Sequence, residues 1–320
     1  MNPLVTIEEL MSMDFPEQKW LADKLIPAGA ITILSGPPAS YKTWVILHMA
    51  LCVAKGEPLF GEFKTNQGGV LVIDEENGQR LLQERLYMLS ATADLPVFFT
   101  EQPGFVLNDK NVALALRNCK AHSIKLIIID SLVRVHASDE NSSGDMSAVF
   151  KQLKRFATKG ITVLVTHHNR KPGVNSGGVS NEMRGSSDIL ASVDCHIGMK
   201  RKDKILTLHQ TKNRYAEELE PFAVLATTDE DSFSFEYQCQ LRASEDKNQV
   251  IKDAVLQLLG EHDKLFQKEL LSRLAELGAK TNEHKLRELL NEMVADKTIA
   301  ETPGAGKTKY YSLSEEVSDD

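Results

Sequence analysis

The chain has 320 residues, 42% hydrophobic and 26% charged, which fits a water-soluble globular protein of one large or two ordinary domains. A formal net charge of -8 argues against non-specific coating of nucleic acid but leaves room for a local basic channel. The scattered thiols Cys52, Cys119, Cys195 and Cys239 have no C-x-x-C spacing, the N-terminus lacks a signal-peptide pattern, and no apolar run nears the roughly 20 residues of a membrane span, so the expectation is a cytoplasmic protein without zinc ribbon, disulfide framework or membrane partner.

In chain order, AITILSG (30–36), GVLVID (69–74), KLIIID (125–130) and ITVLVTH (161–167) are candidate strands. They are rich in Ile and Val and do not alternate with polar residues, as in parallel strands covered on both faces. GQRLLQERLYMLS (78–90) and MSAVFKQLKRFATK (146–159) space apolar residues three and four apart, as amphipathic helices do. The alternation predicts βαβ units and an α/β fold with a doubly wound, mostly parallel sheet. CHIGMKR (195–201) and KILTLHQTK (204–212) flank a Lys202-Asp203 turn and read as a hairpin, with SFSFEYQ (232–238) beyond it, so the sheet is expected to end in antiparallel strands. Two polar stretches, 136–147 and 170–187, read as loops long enough to carry function.

From RASEDKNQ (242–249) onward the pattern changes. Three amphipathic stretches follow, at 250–262, 266–278 and 283–296, with Thr281 as the expected N-cap of the third. Two short strand-like runs then bracket Pro303-Gly304-Ala305-Gly306. Three helices and a hairpin predict a small C-terminal winged helix. The expected division is therefore residues 1–243 and 244–320, the second ending in an acidic tail.

Two stretches approach the phosphate-loop pattern G-x-x-x-x-G-K-[ST]. GPPASYKTW (36–44) keeps Gly36, Lys42 and Thr43 but has Tyr41 at the second glycine. PGAGKTK (303–309) has Gly-Lys-Thr but carries Glu301 at the first glycine position and lies between two strands, so it reads as the turn of the wing. The first stretch follows a buried strand and opens a helix, the context that makes an anion site. Gly36, Pro37, Pro38, Ala39, Ser40, Tyr41, Lys42, Thr43 and Trp44 are thus the candidate cradle for ATP, with Lys42 reaching the β- and γ-phosphates and Thr43 holding Mg²⁺. Asp130 ends a strand where a Mg²⁺-orienting carboxylate belongs, although strand-end caps look the same. Glu75 and Glu76 follow the strand GVLVID, where a carboxylate can hold the attacking water and where a helix dipole also favours acids. His167 ends the next strand within reach of a γ-phosphate.

Together the degenerate phosphate loop, the glutamate pair, LIIID-S and THHNRK resemble RecA-fold ATPases, with the nearest likeness to the RepA-like plasmid and phage replicative helicases, relatives of the DnaB-type hexameric helicases. WLADKLIPAGAITILSGPPASYKTW (20–44) and MRGSSDILASVD (183–194) share that look, and the resemblance covers roughly residues 18–240. It implies a catalytic glutamate at Glu76, with Glu75 as the alternative, and a sensor at His167. It implies a Lys-x-Arg pair acting on a neighbouring subunit's ATP, matched by Lys212 and Arg214, and hence a homo-oligomeric ring, a hexamer. It also implies that the loops 136–147 and 170–187 face single-stranded DNA, through Arg170, Lys171 and Arg184. The first loop departs from that pattern by its acids Asp139, Glu140 and Asp145, and neither loop has an aromatic residue for base stacking. Lys285 and Arg287, with Lys280, Lys307 and Lys309, offer a second DNA surface on the winged helix.

The function expected is an ATP-hydrolysing ring moving on single-stranded DNA in plasmid, phage or mobile-element replication. The competing readings are an ATP-dependent DNA-binding regulator or recombination mediator without unwinding, and a pseudo-ATPase scaffold suggested by Tyr41. Bulky aromatics at that position recur within the resemblance. The expectation for Tyr41 is ordinary helical backbone angles, with the ring turned away from the phosphates.

Overall fold

The apolar runs without polar alternation become the interior of one sheet covered by helices on both faces. The computed structural model describes residues 4–100, 104–138, 142–168, 187–240, 245–277, 279, 281–304 and 309–314. Two compact units result, Met1–Leu241 and Arg242–Asp320.

The first unit begins with α1 (Ile7–Ser12) and a short hairpin, β1 (Trp20–Ala22) and β2 (Ile26–Pro27). It continues through β3 (Ile31–Gly36), α2 (Lys42–Lys55), β4 (Gly69–Asp74), α3 (Gln79–Met88), β5 (Val97–Phe99), α4 (Asp109–Ala121) and β6 (Ile124–Asp130). Then come α5 (Ser143–Ala157), β7 (Thr162–His168), α6 (Ser187–Ser192), β8 (Cys195–Lys202), β9 (Ile205–Asn213), β10 (Phe222–Thr228) and β11 (Phe233–Gln240). Among the described residues the central sheet has the order β11-β10-β9-β8-β3-β7-β6-β4-β5. The pairs from β8 through β3 to β5 are parallel, and β8 to β11 are antiparallel.

Strand parity splits the apolar side chains between two layers. Leu126 and Ile128 of β6 pack on one face with Val70, Val72 and α2, while Ile127 and Ile129 pack on the other with Ile31, Ile33 and α5. Helix α2 is buried around most of its circumference, which requires its nearly unbroken apolar sequence. It stops where Gly56 takes φ 76 and returns its N–H to the Cys52 carbonyl at 2.8 Å, a left-handed C-cap.

Several boundaries differ from the sequence reading. Strands β5 and β10 and helix α4 were not anticipated, and α5 begins at Ser143, inside the stretch expected to be a loop. The segment 169–186 lies outside the described residues.

The second unit comprises α7 (Glu245–Glu261), β12 (Leu265–Phe266), α8 (Gln267–Glu276), α9 (Glu283–Ala295), β13 (Ile299–Pro303) and β14 (Lys309–Leu313). Its own core gathers Val255, Leu270, Leu274, Leu286, Leu289, Leu290 and Tyr311. The N-cap of α9 is Asn282, one residue past the expected Thr281: its Oδ1 accepts from Lys285 N at 2.8 Å. β13 and β14 pair antiparallel from Ile299↔Leu313 to Pro303↔Lys309, so the second Gly-Lys-Thr stretch joins two strands. Residues 305–308 and the acidic tail from 315 lie outside the described residues, as do Lys280 and Lys307. Among the described residues no helix is long and apolar enough to cross a membrane.

Two buried histidines are expected to make the fold acid-sensitive. His196 of β8 is fully buried, with Nε2 2.8 Å from Ser35 Oγ and Nδ1 2.5 Å from Thr211 Oγ1. Burial first, and His167 second, lower its pKa to about 4. His48 falls to about 4 chiefly through burial. Both folded-state values lie below the ordinary value near 6.5, so the unfolded chain takes up protons first as pH falls. Their contribution is whole above about pH 6.5 and is lost toward pH 4, by up to about 1.4 kcal/mol per pH unit for His196. Urea unfolding is expected at lower denaturant at pH 5 than at pH 7.5, and the double variant His48→Gln/His196→Gln should show a smaller difference between the two pH values.

Candidate active site

Gly36 ends β3 where a side chain has no room. A Cβ there would lie 2.7 Å from the Met199 carbonyl oxygen of the neighbouring strand β8 and 2.9 Å from Ser40 Oγ. The loop then passes through two left-handed residues, Ala39 at φ 59 and Tyr41 at φ 70, ψ 21. The expectation of ordinary helical angles at Tyr41 is therefore corrected. The turn keeps the torsion that a glycine would supply, and the tyrosine adopts it. That torsion costs a non-glycine residue on the order of 1–2 kcal/mol. The ring gains contacts of similar size. It meets Phe233 edge-on at 5.3 Å, and the Arg201 Cζ lies 3.6 Å from its centroid. An aromatic pair contributes about 0.5–1.5 kcal/mol and an exposed cation–π contact about 0.5–1. Trp44, three residues on, stacks on the same Phe233 at 4.1 Å.

The first turn of α2 carries the groups aimed at an anion. Lys42 is buried and its Nζ donates to the carbonyls of Gly36 (3.0 Å) and Pro37 (2.9 Å). Burial lowers its pKa, and the charges of Asp130 and Glu76 oppose that shift. Thr43 Oγ1 donates to Asp130 Oδ2 at 2.7 Å, and the Thr166 hydroxyl donates to the other oxygen of the same carboxylate. Asp130 is 1% exposed. Burial pushes its pKa up to about 6 against those two hydrogen bonds, and Asp74 and Glu76 raise it further.

After β4 the chain turns over Asp74, whose Oδ1 accepts from the backbone N–H of Glu76 (2.9 Å) and Asn77 (2.7 Å). This turn separates the two glutamates. The Glu75 carboxylate accepts from the backbone N–H of Gly104 (2.6 Å) and Phe105 (2.9 Å), outside the cleft. The Glu76 carboxylate enters it: Oε1 accepts from the Ser131 hydroxyl and lies 3.1 Å from His168 Nε2. The His168 contact is the main cause of a pKa lowered to about 2.

One cleft, at the carboxyl ends of β3, β4, β6 and β7, is thus lined by Ala39, Ser40, Tyr41, Lys42, Thr43, Trp44, Glu76, Asp130 and His168. Asn77, Arg85 and Arg201 line it as well. Strand parity separates the two histidines. His167 is 2% exposed within the sheet, whereas His168 borders the cleft and touches Glu76. Arg85 and Arg201 had no motif to announce them. Arg85 bonds the Asn77 side chain at 3.1 Å and lies over the Trp44 ring at 5.4 Å.

The remaining candidates lie elsewhere. Lys212 Nζ donates to the Leu190 carbonyl at 2.5 Å. Arg214 donates to the Ala191 carbonyl at 2.7 Å and pairs with Asp194 at 3.3 Å. Both cations therefore sit at the C-terminal end of α6, where helix carbonyls favour positive charge. On α9, Lys285 pairs with Glu288 (3.4 Å) and Arg287 with Glu283 (3.7 Å). Arg170, Lys171 and Arg184 lie outside the described residues.

The donors fit a small hard cation. The Thr43 hydroxyl and the Asp130 carboxylate are adjacent oxygens; burial chiefly raises the Asp130 pKa, and the nearby charges of Asp74 and Glu76 add a negative field that a divalent ion would relieve. Among the described residues no group of three or more His, Cys, Asp or Glu could hold a metal without other ligands. Mg²⁺ shared with phosphates needs only one or two protein oxygens.

Comparison with known proteins agrees with this geometry. The family model AAA_25, described as AAA domain, matches residues 2–174. A solved chain described as "The Structure Of A DnaB-Like Replicative Helicase And Its Interactions With Primase" superimposes with a TM-score of 0.54 at 13% identity. The match covers 71% of this chain and 65% of that one, just under two thirds of its length. At that identity the likeness is one of fold, consistent with a RecA-like α/β architecture with a large, mostly parallel sheet.

The Tyr41 geometry predicts an order of stabilities. Tyr41→Ala keeps a Cβ in the left-handed region and loses the ring contacts, whereas Tyr41→Gly loses the ring and the strain together. The alanine variant is expected to unfold in urea about 1 kcal/mol more easily than the glycine variant. The reverse order would show that residue 41 does not hold a positive φ in solution.

Proposed function

The chain belongs to the AAA_25 family of AAA domains, and on that premise we propose that it is an ATP-hydrolysing, ring-forming RecA-fold motor acting on single-stranded DNA, a replicative helicase of plasmid, phage or mobile-element type. The observation that carries the reading is the convergence of Lys42, Thr43, Asp130 and Glu76 on one cleft. Phosphoryl transfer needs positioning and charge stabilisation more than covalent chemistry, and these are the groups that provide both.

Lys42 exchanges its two loop carbonyls for β- and γ-phosphate oxygens. Thr43 and Asp130 would hold Mg²⁺, which when bound would supply charge neutralisation for the phosphates. Glu76 positions the attacking water. Its Oε1 is taken by Ser131 and His168, while Oε2 accepts no hydrogen bond from a described residue. With a pKa near 2 it is fully ionised at neutral pH and a weak base, so it acts as a fixed acceptor that orients the water. His168 bridges Glu76 to the end of β7, the place from which a γ-phosphate sensor acts. That role was first read onto His167, which is buried within the sheet and absent from the cleft lining.

Lys212 and Arg214 are absent from the residues lining this cleft, which supports a role on the neighbouring subunit's nucleotide and hence a ring, taken here as a hexamer. The second unit has the helix and strand order of a winged helix, and Lys285 and Arg287 would face DNA only after loosening their pairs with Glu288 and Glu283.

ATP hydrolysis stimulated by single-stranded DNA and abolished by Lys42→Ala is the test of the reading; no hydrolysis in the parent protein leaves a nucleotide-responsive scaffold instead. Activity and ring assembly without strand displacement at any fork geometry leave the regulator reading. Glu76→Gln should lower kcat about 10²-fold by misplacing the attacking water. Glu75→Gln should stay within several-fold of the parent, because that carboxylate bonds Gly104 and Phe105 outside the cleft. Mixing Arg214→Ala with Glu76→Ala subunits should recover hydrolysis absent from either alone, since a mixed interface pairs one intact finger with one intact glutamate. No recovery at any ratio removes the trans role.

A further inference from the structure

Among the described residues, Arg201 is the one cleft cation that neither the phosphate-loop motif nor the family match reaches, since that match ends at residue 174. It comes from β8, near the hairpin turn, where its Nε donates to the Asp203 carbonyl at 2.8 Å. Two further contacts run to the phosphate loop. One is its Nη1 hydrogen bond to the Ala39 carbonyl at 3.2 Å, and the other is its stacking at 3.6 Å on the Tyr41 ring. Ala39 and Tyr41 are the two loop residues at positive φ. Arg201 therefore touches both strained positions and none of the carboxylates among the described residues in the ion pairs identified. Phe233 holds the other side of the same ring.

We propose that Arg201 is a positioning residue for the phosphate loop, acting through the Tyr41 ring and the Ala39 carbonyl to keep the loop's left-handed turn ready for a nucleoside triphosphate. The proposal rests on the ATP reading of the cleft and adds to it what stands in for the missing second glycine. A glycine at position 41 adopts the turn without help, so the need for Arg201 belongs to the tyrosine. A planar guanidinium can stack and donate at once, which a lysine ammonium cannot.

The test is a double-mutant cycle on the full chain. Affinity for a non-hydrolysable ATP analogue with Mg²⁺ is measured by titration calorimetry, and steady-state ATPase kinetics are run alongside. Arg201→Ala is expected to weaken binding about tenfold in the Tyr41 protein and no more than about twofold in the Tyr41→Gly background, with the loss falling on KM rather than kcat. Arg201→Lys should resemble Arg201→Ala. Equal losses in both backgrounds, or full recovery by lysine, would overturn the proposal and leave Arg201 as a charge beside the phosphates. Circular dichroism of each variant separates these outcomes from misfolding, which is not expected for so exposed a side chain. A parent protein that binds no analogue would fail the ATP reading itself and this proposal with it. A parent that binds the analogue without the coupling would fail the proposal alone.

Discussion

The functional end of the sheet depends on one buried carboxylate. Asp130 has almost no contact with solvent, and a carboxylate so placed is costly unless hydrogen-bonded. Its two donors, Thr43 and Thr166, come from the first turn of α2 and from β7. Its own carbonyl accepts from Glu75 N at 2.7 Å, and the next residue, Ser131, holds Glu76. Residues 130 and 131 therefore fix the phosphate loop's helix, the strand that ends at His168 and the turn that bears the glutamates. Moving Asp130 would shift all three at once, so the parts that must meet a triphosphate are positioned from a single point on β6.

This arrangement was partly visible in the sequence, for a reason that lies in the sheet. Strands covered on both faces must be largely apolar, and β3, β4, β6 and β7 stand out as such runs: β3 ends at the loop glycine Gly36, and the other three end at Asp74, Asp130 and His168. Strand β5 has only three residues, and α4 buries a narrow stripe of Val112, Ala115 and Cys119, so neither leaves a strong periodic trace. The choice between Thr281 and Asn282 as a cap turns on one residue of phase, which helix periodicity does not resolve.

Within the site, what sequence could not show is what distant residues supply. A local steric argument treats Tyr41 as isolated and assigns it helical angles. Arg201 and Phe233, far along the chain, change that balance by contacts of about the same size as the strain. His168, and not His167, borders the cleft for a related reason: residue parity at the end of a strand decides which of two adjacent side chains faces it. Lys212 and Arg214 show a different limit. Their spacing was visible, but their attachment to the last carbonyls of α6 was not.

The two glycine positions of the phosphate-loop pattern are constraints of different kinds. At Gly36 the obstacle is the backbone oxygen of Met199, an atom fixed by the strand that carries it, and no rearrangement of a side chain removes it. At position 41 the obstacle is a torsion, which neighbours can offset, as they do here. The first position is therefore closed to drift in any chain that keeps β8 beside β3, while the second can wander wherever a stacking partner is within reach.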